Sequence, residues 1–321
     1  MTSLTPDDDE KLKRIFHPYL CERRSLVERE GIRFAHYTSA EVLTSILRRK
    51  QIWMRNAQTM NDYSEIQYGF QMLQGALESE DGTSLQIALD KCGAKIFEEV
   101  DRKFQEWKRA LQFDTYMICL SEHTRVDDAH GRLSMWRAYG GRNGVALVLK
   151  SDALFNPDAG PAAHASPVLY ANEQVFGQRF AQFVKGISAE RNYLRELDRS
   201  HLVGRIVWAL RWMVLATKHP GFAEEREWRV VSSPTAYPTN SPVGEIEAVQ
   251  GTPQVVLKLS LQGNPGSVLD KLDISKLLDR IIVGPCAFPG VTASALHTVL
   301  ANAIGHFADQ KIHLSGIPLR N

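Results

Sequence analysis

Arg33-Phe34-Ala35-His36-Tyr37-Thr38-Ser39 is the stretch on which the fold turns. Ile32 and Phe34 alternate as a strand does, and His36, Tyr37 and Thr38 then crowd polar chemistry onto its end. Ser39 stands at an N-cap position, where its hydroxyl can accept from the first orphan amides of a helix. Val42, Leu43, Ile46 and Leu47 follow at helical spacing, so that helix buries one face. Arg48-Arg49-Lys50 supplies a basic last turn, and Gln51-Ile52-Trp53-Met54-Arg55 reads as a second strand. A strand that ends in His and Thr beside a helix N-terminus is a place to hold a polar or anionic ligand.

Outward from this unit, Thr5-Pro6-Asp7-Asp8 reads as a helix start: a cap, Pro at the first turn and acids behind it. Asn61 or Asp62 caps another helix, with Glu65 as the partner of a capping box. Residues 84–112 read as one long amphipathic helix, and residues 172–218 as two helices broken near Gly186 or Gly204. Strands are expected near 32–38, 115–121, 144–149, 227–232 and 254–260, all in one core. The polar segment Glu122 to Arg132 reads as a mobile surface loop, and Leu133 to Tyr139 as a short helix ended by Gly140-Gly141. Helices and strands mix without strict βαβ alternation. The expectation is an α+β fold, a single mixed β-sheet core with large helical insertions. Residues 1–30 form an N-terminal helical extension in this reading, and residues 31–321 a single α+β domain.

Composition narrows the function classes. Thirty-eight Lys and Arg stand against 37 Asp and Glu, so global charge gives no argument for a nucleic-acid grip. The four cysteines are far apart and fit reduced thiols in a cytoplasmic protein. No apolar run is long enough to span a bilayer, and the acidic N-terminus lacks the order of a signal peptide. The ten histidines fall in no HExxH or comparable set, so no metal is expected. No P-loop, dinucleotide fingerprint or G-x-S-x-G context is present.

Late in the chain, Glu225-Arg226-Glu227-Trp228-Arg229 leads into a strand. Period-two alternation would put 225, 227 and 229 on one face, with Glu227 free to pair with Arg229 or with a ligand. Such a face is a poor core and hints at a lined cleft.

These islands occur together in a known order. His36-Tyr37-Thr38-Ser39, Asn61-Asp62 with Glu65, Cys119-Leu120-Ser121, Met135-Trp136 with Tyr139-Gly140, Glu225 to Arg229, Ile282 to Pro285 and Ser315 to Arg320 resemble the bacterial domain of unknown function 2971 family. The resemblance runs over roughly residues 32–320. The opening strand and helix, Phe34 to Ser39 with Leu43, Ile46 and Leu47, also look like those of ADP-ribosyltransferases. That second resemblance implies an ADP-ribosyltransferase-like sheet core and NAD as co-substrate. It implies His36 and Thr38 holding the ribose and nicotinamide side, with Tyr37 and Ser39 beside them. A late glutamate, Glu225 or Glu227, would be catalytic together with His36, and Tyr139, Tyr63 or Trp136 would supply an aromatic face. Asn61, Asp62, Glu65, Ser121 and Arg229 would stand behind them. The resemblance further implies a toxin or phage-defence effector with a macromolecular acceptor, nucleic acid or protein, and room for an antitoxin.

The chemistry asks for these residue types. Cleaving the nicotinamide–ribose bond builds positive charge on the ribose, so a carboxylate beside it stabilises the transition state more than the ground state. Two other classes stay open: a non-catalytic module that senses a nucleotide or phage component, and a nucleic-acid-processing enzyme that uses the acidic residues.

Overall fold

The computed structural model describes residues 5–59, 63–153, 155, 163–235, 243–249, 251–263 and 272–318. They fall into two compact units. One gathers residues 1–25, 57–113 and 166–223, and the other residues 26–56, 114–165 and 224–321. The chain is α+β, with a mixed central sheet and many helices.

The first unit is largely helical. Thr5 caps its opening helix, Pro6–Phe16, in a capping box with Asp8, as the sequence suggests. The long helix expected over 84–112 is two, Glu80–Cys92 and Ile96–Asp114, because Gly93 ends the first and Lys95, just before the second, takes a left-handed φ of 59°. Residues 172–218 break at neither expected glycine. Glu173–Ala189 and Arg199–Leu215 are separated by a short helical turn, and Asp198 caps the second by accepting from the His201 amide. Gly69 allows the helix Tyr63–Leu77 to lie against Arg199–Leu215; a Cβ there would come within 2.1 Å of the Val214 carbonyl oxygen. Two short strands, β6 (Leu169–Tyr170) and β7 (Thr217–Lys218), pair in parallel.

The second unit holds a sheet of ten strands. They are β1 (Arg33–Ser39), β2 (Gln51–Asn56), β3 (Tyr116–His123), β4 (Gly144–Leu149), β5 (Ala163–Pro167), β8 (Glu227–Ser232), β9 (Val243–Val249), β10 (Thr252–Ser260), β11 (Leu278–Val283) and β12 (Ile312–Leu314). All five strands expected to share a core lie in it. β1 pairs antiparallel with β3 and β4, β2 with β3 and β10, β3 with β8, β4 with β11 and β9 with β10, while β11 and β12 pair in parallel, which makes the sheet mixed.

The sheet forks at β3. One edge of β3 pairs with β8 along Tyr116 to Ser121. Its other edge is shared: β1 takes Ser121 to His123, while β2 takes Tyr116 and Met117. Between them β1 leaves β3 and continues alone beside β4. On one face of the sheet, Ala35, Tyr37, Ala146, Val148 and Ile282 pack with Met135 and Trp136 of the helix Leu133–Tyr139. On the other, Phe34 and Trp228 meet edge to face at 5.2 Å between ring centroids, and the Trp228 indole donates to Glu122 at 2.9 Å.

Candidate functional site

The opening stretch folds as its sequence suggests, but its side chains divide between two faces. Ala35 stands opposite Ser121, and Ser121 opposite Glu227, so these three share a face. The pleat then sends His36 and Thr38 to the opposite face. Convergence of His36, Thr38 and Glu227 on one cleft is therefore corrected: strand alternation sets His36 against it. The half-buried His36 sits where β1 leaves β3, and its Nδ1 lies 3.2 Å from the Cys119 carbonyl oxygen. Its apolar surroundings hold its pKa below the usual histidine value, with that contact acting the other way.

Tyr37 is a core residue. Its ring meets Trp136 edge to face at 4.7 Å, and its hydroxyl accepts from the Arg132 amide at 3.1 Å. Burial pushes its phenol up. Ser39 is the cap that the sequence predicts, accepting from the Val42 amide at 3.2 Å. The Ala40 amide donates to the Asn143 carbonyl at 2.8 Å, so the helix mouth beside Thr38 offers few unused donors to an anion.

Glu227 and Arg229 are not exposed. They are 6% and 1% exposed, and the Arg229 Nε donates to the Glu227 carboxylate at 2.8 Å. The expected polar cleft face is here a closed ion pair inside the protein. Nor does Glu225 share their face. It ends a 3-10 turn, Arg226 takes a left-handed φ of 45°, and the strand begins only at Glu227. The Glu122 amide donates to the Arg226 carbonyl at 2.9 Å, which ties this reversal to β3.

The reversal turns Glu225 towards the helix Leu133–Tyr139. Tyr139, 38% exposed, donates its hydroxyl to the Glu225 carboxylate at 3.0 Å. Beneath this pair lies Arg132. Its guanidinium donates to the carbonyls of Glu224, Glu225 and Glu122 and to the Ser121 hydroxyl, which in turn donates to the Glu225 carbonyl. Ser121, a predicted site residue, is thus part of the support. Trp136 is core, wedged between two glycines: a Cβ on Gly131 or on Gly284 would come within 2.6 or 2.8 Å of the indole.

Residues 135–230 match the family described as a protein of unknown function, DUF2971. This matched segment carries Trp136, Tyr139, Gly140 and the run Glu225 to Arg229, so both halves of the Tyr139–Glu225 pair belong to it. No curated protein and no solved structure matches the chain.

Glu65 belongs to the helical unit, where its carboxylate meets the Lys218 ammonium at 2.6 Å, both buried. Tyr63 opens the helix that carries Glu65. Asn61 and Asp62 lie outside the described residues. No helix among the described residues is long and apolar enough to cross a membrane.

Arg132 escaped the sequence reading, as did the ties on its loop. That loop, expected to be a free surface segment, is tied to the strands beside it. Asp128 accepts from Arg33 at 2.5 Å and lies 3.0 Å from the His123 Nε2, while Arg33 also donates to Asp279 at 2.6 Å. A lone arginine or aspartate in a polar segment carries no sequence signal of burial.

Proposed function

We propose that the protein is a NAD-dependent ADP-ribosyltransferase whose reacting end is the Tyr139–Glu225 pair. The observation that carries the reading is the 3.0 Å hydrogen bond between a part-exposed phenol and a part-exposed carboxylate, with buried Arg132 behind them. The forked sheet, with His36 and Thr38 on the strand that departs, supports an ADP-ribosyltransferase-type core.

In this reading the Tyr139 ring packs against the nicotinamide, and the Glu225 carboxylate faces the ribose carbon that carries it. The N-glycosidic bond breaks with its electron pair leaving on nicotinamide, which becomes neutral. Positive charge passes to the ribose, where the carboxylate stabilises it before a nucleophile from the acceptor forms the new bond. The same carboxylate can take the proton that the nucleophile loses. A toxin or phage-defence effector with a nucleic-acid or protein acceptor fits such chemistry.

The test incubates the purified protein and cell lysate with NAD labelled on the adenosine side. Label transfer and nicotinamide release, both lost in Glu225→Gln and kept in a folded Glu227 variant, are expected. A second reading, a non-catalytic nucleotide-sensing module, is favoured by the inward pairing of Glu227 and by the His36 contact with main chain. Thermal stabilisation by NAD without nicotinamide release would put that reading first.

A further inference from the structure

We infer that Arg132 is a positioning residue: its guanidinium holds the Glu224–Glu225 main chain in the reversal that presents the Glu225 carboxylate to Tyr139. This rests on the reading of the Tyr139–Glu225 corner as the reactive end.

Arg132 is 9% exposed, and among the described residues every hydrogen-bond partner of its guanidinium is neutral: three carbonyls and one hydroxyl. Its Nε is buried with no partner. A guanidinium kept out of water without a carboxylate is costly, and hydrophobic side chains of similar size often serve stability better. The geometry accounts for its presence in another way. The acceptors come from two segments, Ser121 and Glu122 at the end of β3 and Glu224 and Glu225 just before β8. A planar fork can hold several carbonyls at fixed separations, which the single ammonium of lysine cannot do.

The reversal itself is not one the chain would choose locally. Arg226, a residue with a Cβ, takes φ 45° there. Such a conformation persists only where the surroundings over-determine it. Here the surroundings are the Glu122 amide on the Arg226 carbonyl and the Arg132 guanidinium on the two carbonyls before it. Arg132 is in turn anchored through its amide to the Tyr37 hydroxyl, and Tyr37 packs on Trp136. The chain of contacts runs from the opening strand to the candidate carboxylate.

The experiment compares wild type with Arg132→Lys and Arg132→Met, each also in an Arg226→Gly background that relieves the left-handed strain and helps the variant fold. Hydrogen exchange over residues 222–230 in every variant, and tryptic cleavage after Arg226 in those that keep Arg226, are read first, without reference to activity. Both are expected to speed up by about tenfold or more in the Arg132 variants. For NAD cleavage, kcat is expected to fall about tenfold or more with the KM for NAD nearly unchanged, as when a contact realised in the transition state is lost. Millimolar guanidinium should restore part of kcat in Arg132→Met. Wild-type exchange and wild-type cleavage after Arg226 in a folded variant overturn the inference. So does a rise in KM alone. Should wild type itself cleave no NAD, the proposed function falls, and the exchange and cleavage rates still decide the role of Arg132.

Discussion

His36 and Glu227 project from opposite faces of the sheet although only β3 separates their strands. One residue of register, with Ala35 rather than His36 in line with Ser121 and Glu227, is enough to part them. Glu227 consequently belongs to the interior, and its charge serves Arg229.

Glu227→Gln should therefore act on folding. Removing one charge of a buried, hydrogen-bonded ion pair is strongly destabilising, and the expected cost is about 3 kcal/mol. Urea unfolding measures it. A variant with the wild-type midpoint that has lost NAD cleavage would instead return Glu227 to the reaction.

Tyr139→Phe should do the reverse. Tyr139 is exposed, so stability should stay within about 0.5 kcal/mol of wild type. Nicotinamide release should fall about tenfold, because the hydroxyl that fixes the Glu225 carboxylate is gone while the ring remains. Unchanged release in the variant would separate that hydrogen bond from catalysis.

Gly131→Ala and Gly284→Ala should each destabilise by about 1–3 kcal/mol, since the added carbon meets the Trp136 indole. Gly131 also sits at φ 64°, where a side chain adds strain. In a Trp136→Phe background the cost of Gly284→Ala should shrink, a coupling that a double-mutant cycle reads directly. Strict additivity would mean that the indole is not what the new carbon meets.

Acid should weaken the protein before its carboxylates protonate. Burial holds both His36 and His123 below the usual histidine pKa, with the Asp128 hydrogen bond opposing it at His123. The unfolded chain then takes up protons first, near about pH 6.5. Stability is full above that value and declines as pH falls from there towards the depressed folded values. His123→Asn should make the urea midpoint less dependent on pH between about 7 and 5. An identical slope in the variant would remove His123 as a contributor. Asp279 adds a second, lower step: burial opposes its ionisation, but hydrogen bonds from Arg280 and Arg33 hold its carboxyl below the ordinary range.

What the sequence discloses, and what it hides, follows from range. The Thr5 and Ser39 caps and the strand from Gly144 to Leu149 are set by neighbours a few residues away, and they are legible, whereas Trp136, expected to offer a face to a ligand, is claimed for the core by distant Tyr37 and Gly284. Asp198 as the true break in the 172–218 stretch was as local a signal as Gly204, but a glycine inside a packed helix is tolerated. The face that Glu225 shares could not be read, because a left-handed Arg226 breaks the alternation and only contacts from Arg132 and Glu122 impose it. The inward pairing of Glu227 with Arg229 was one of two readings of the same spacing; burial decides between them.

The glycine vice on Trp136 also sets a schedule. One jaw, Gly131, is made almost together with the indole, whereas the other, Gly284, follows Trp136 by 148 residues. Ile282, which shares that core, is made just before Gly284, and Ile317 later still. The helix that carries Tyr139 therefore cannot complete its final seat until the strand that ends at Val283, and Gly284 after it, have been made.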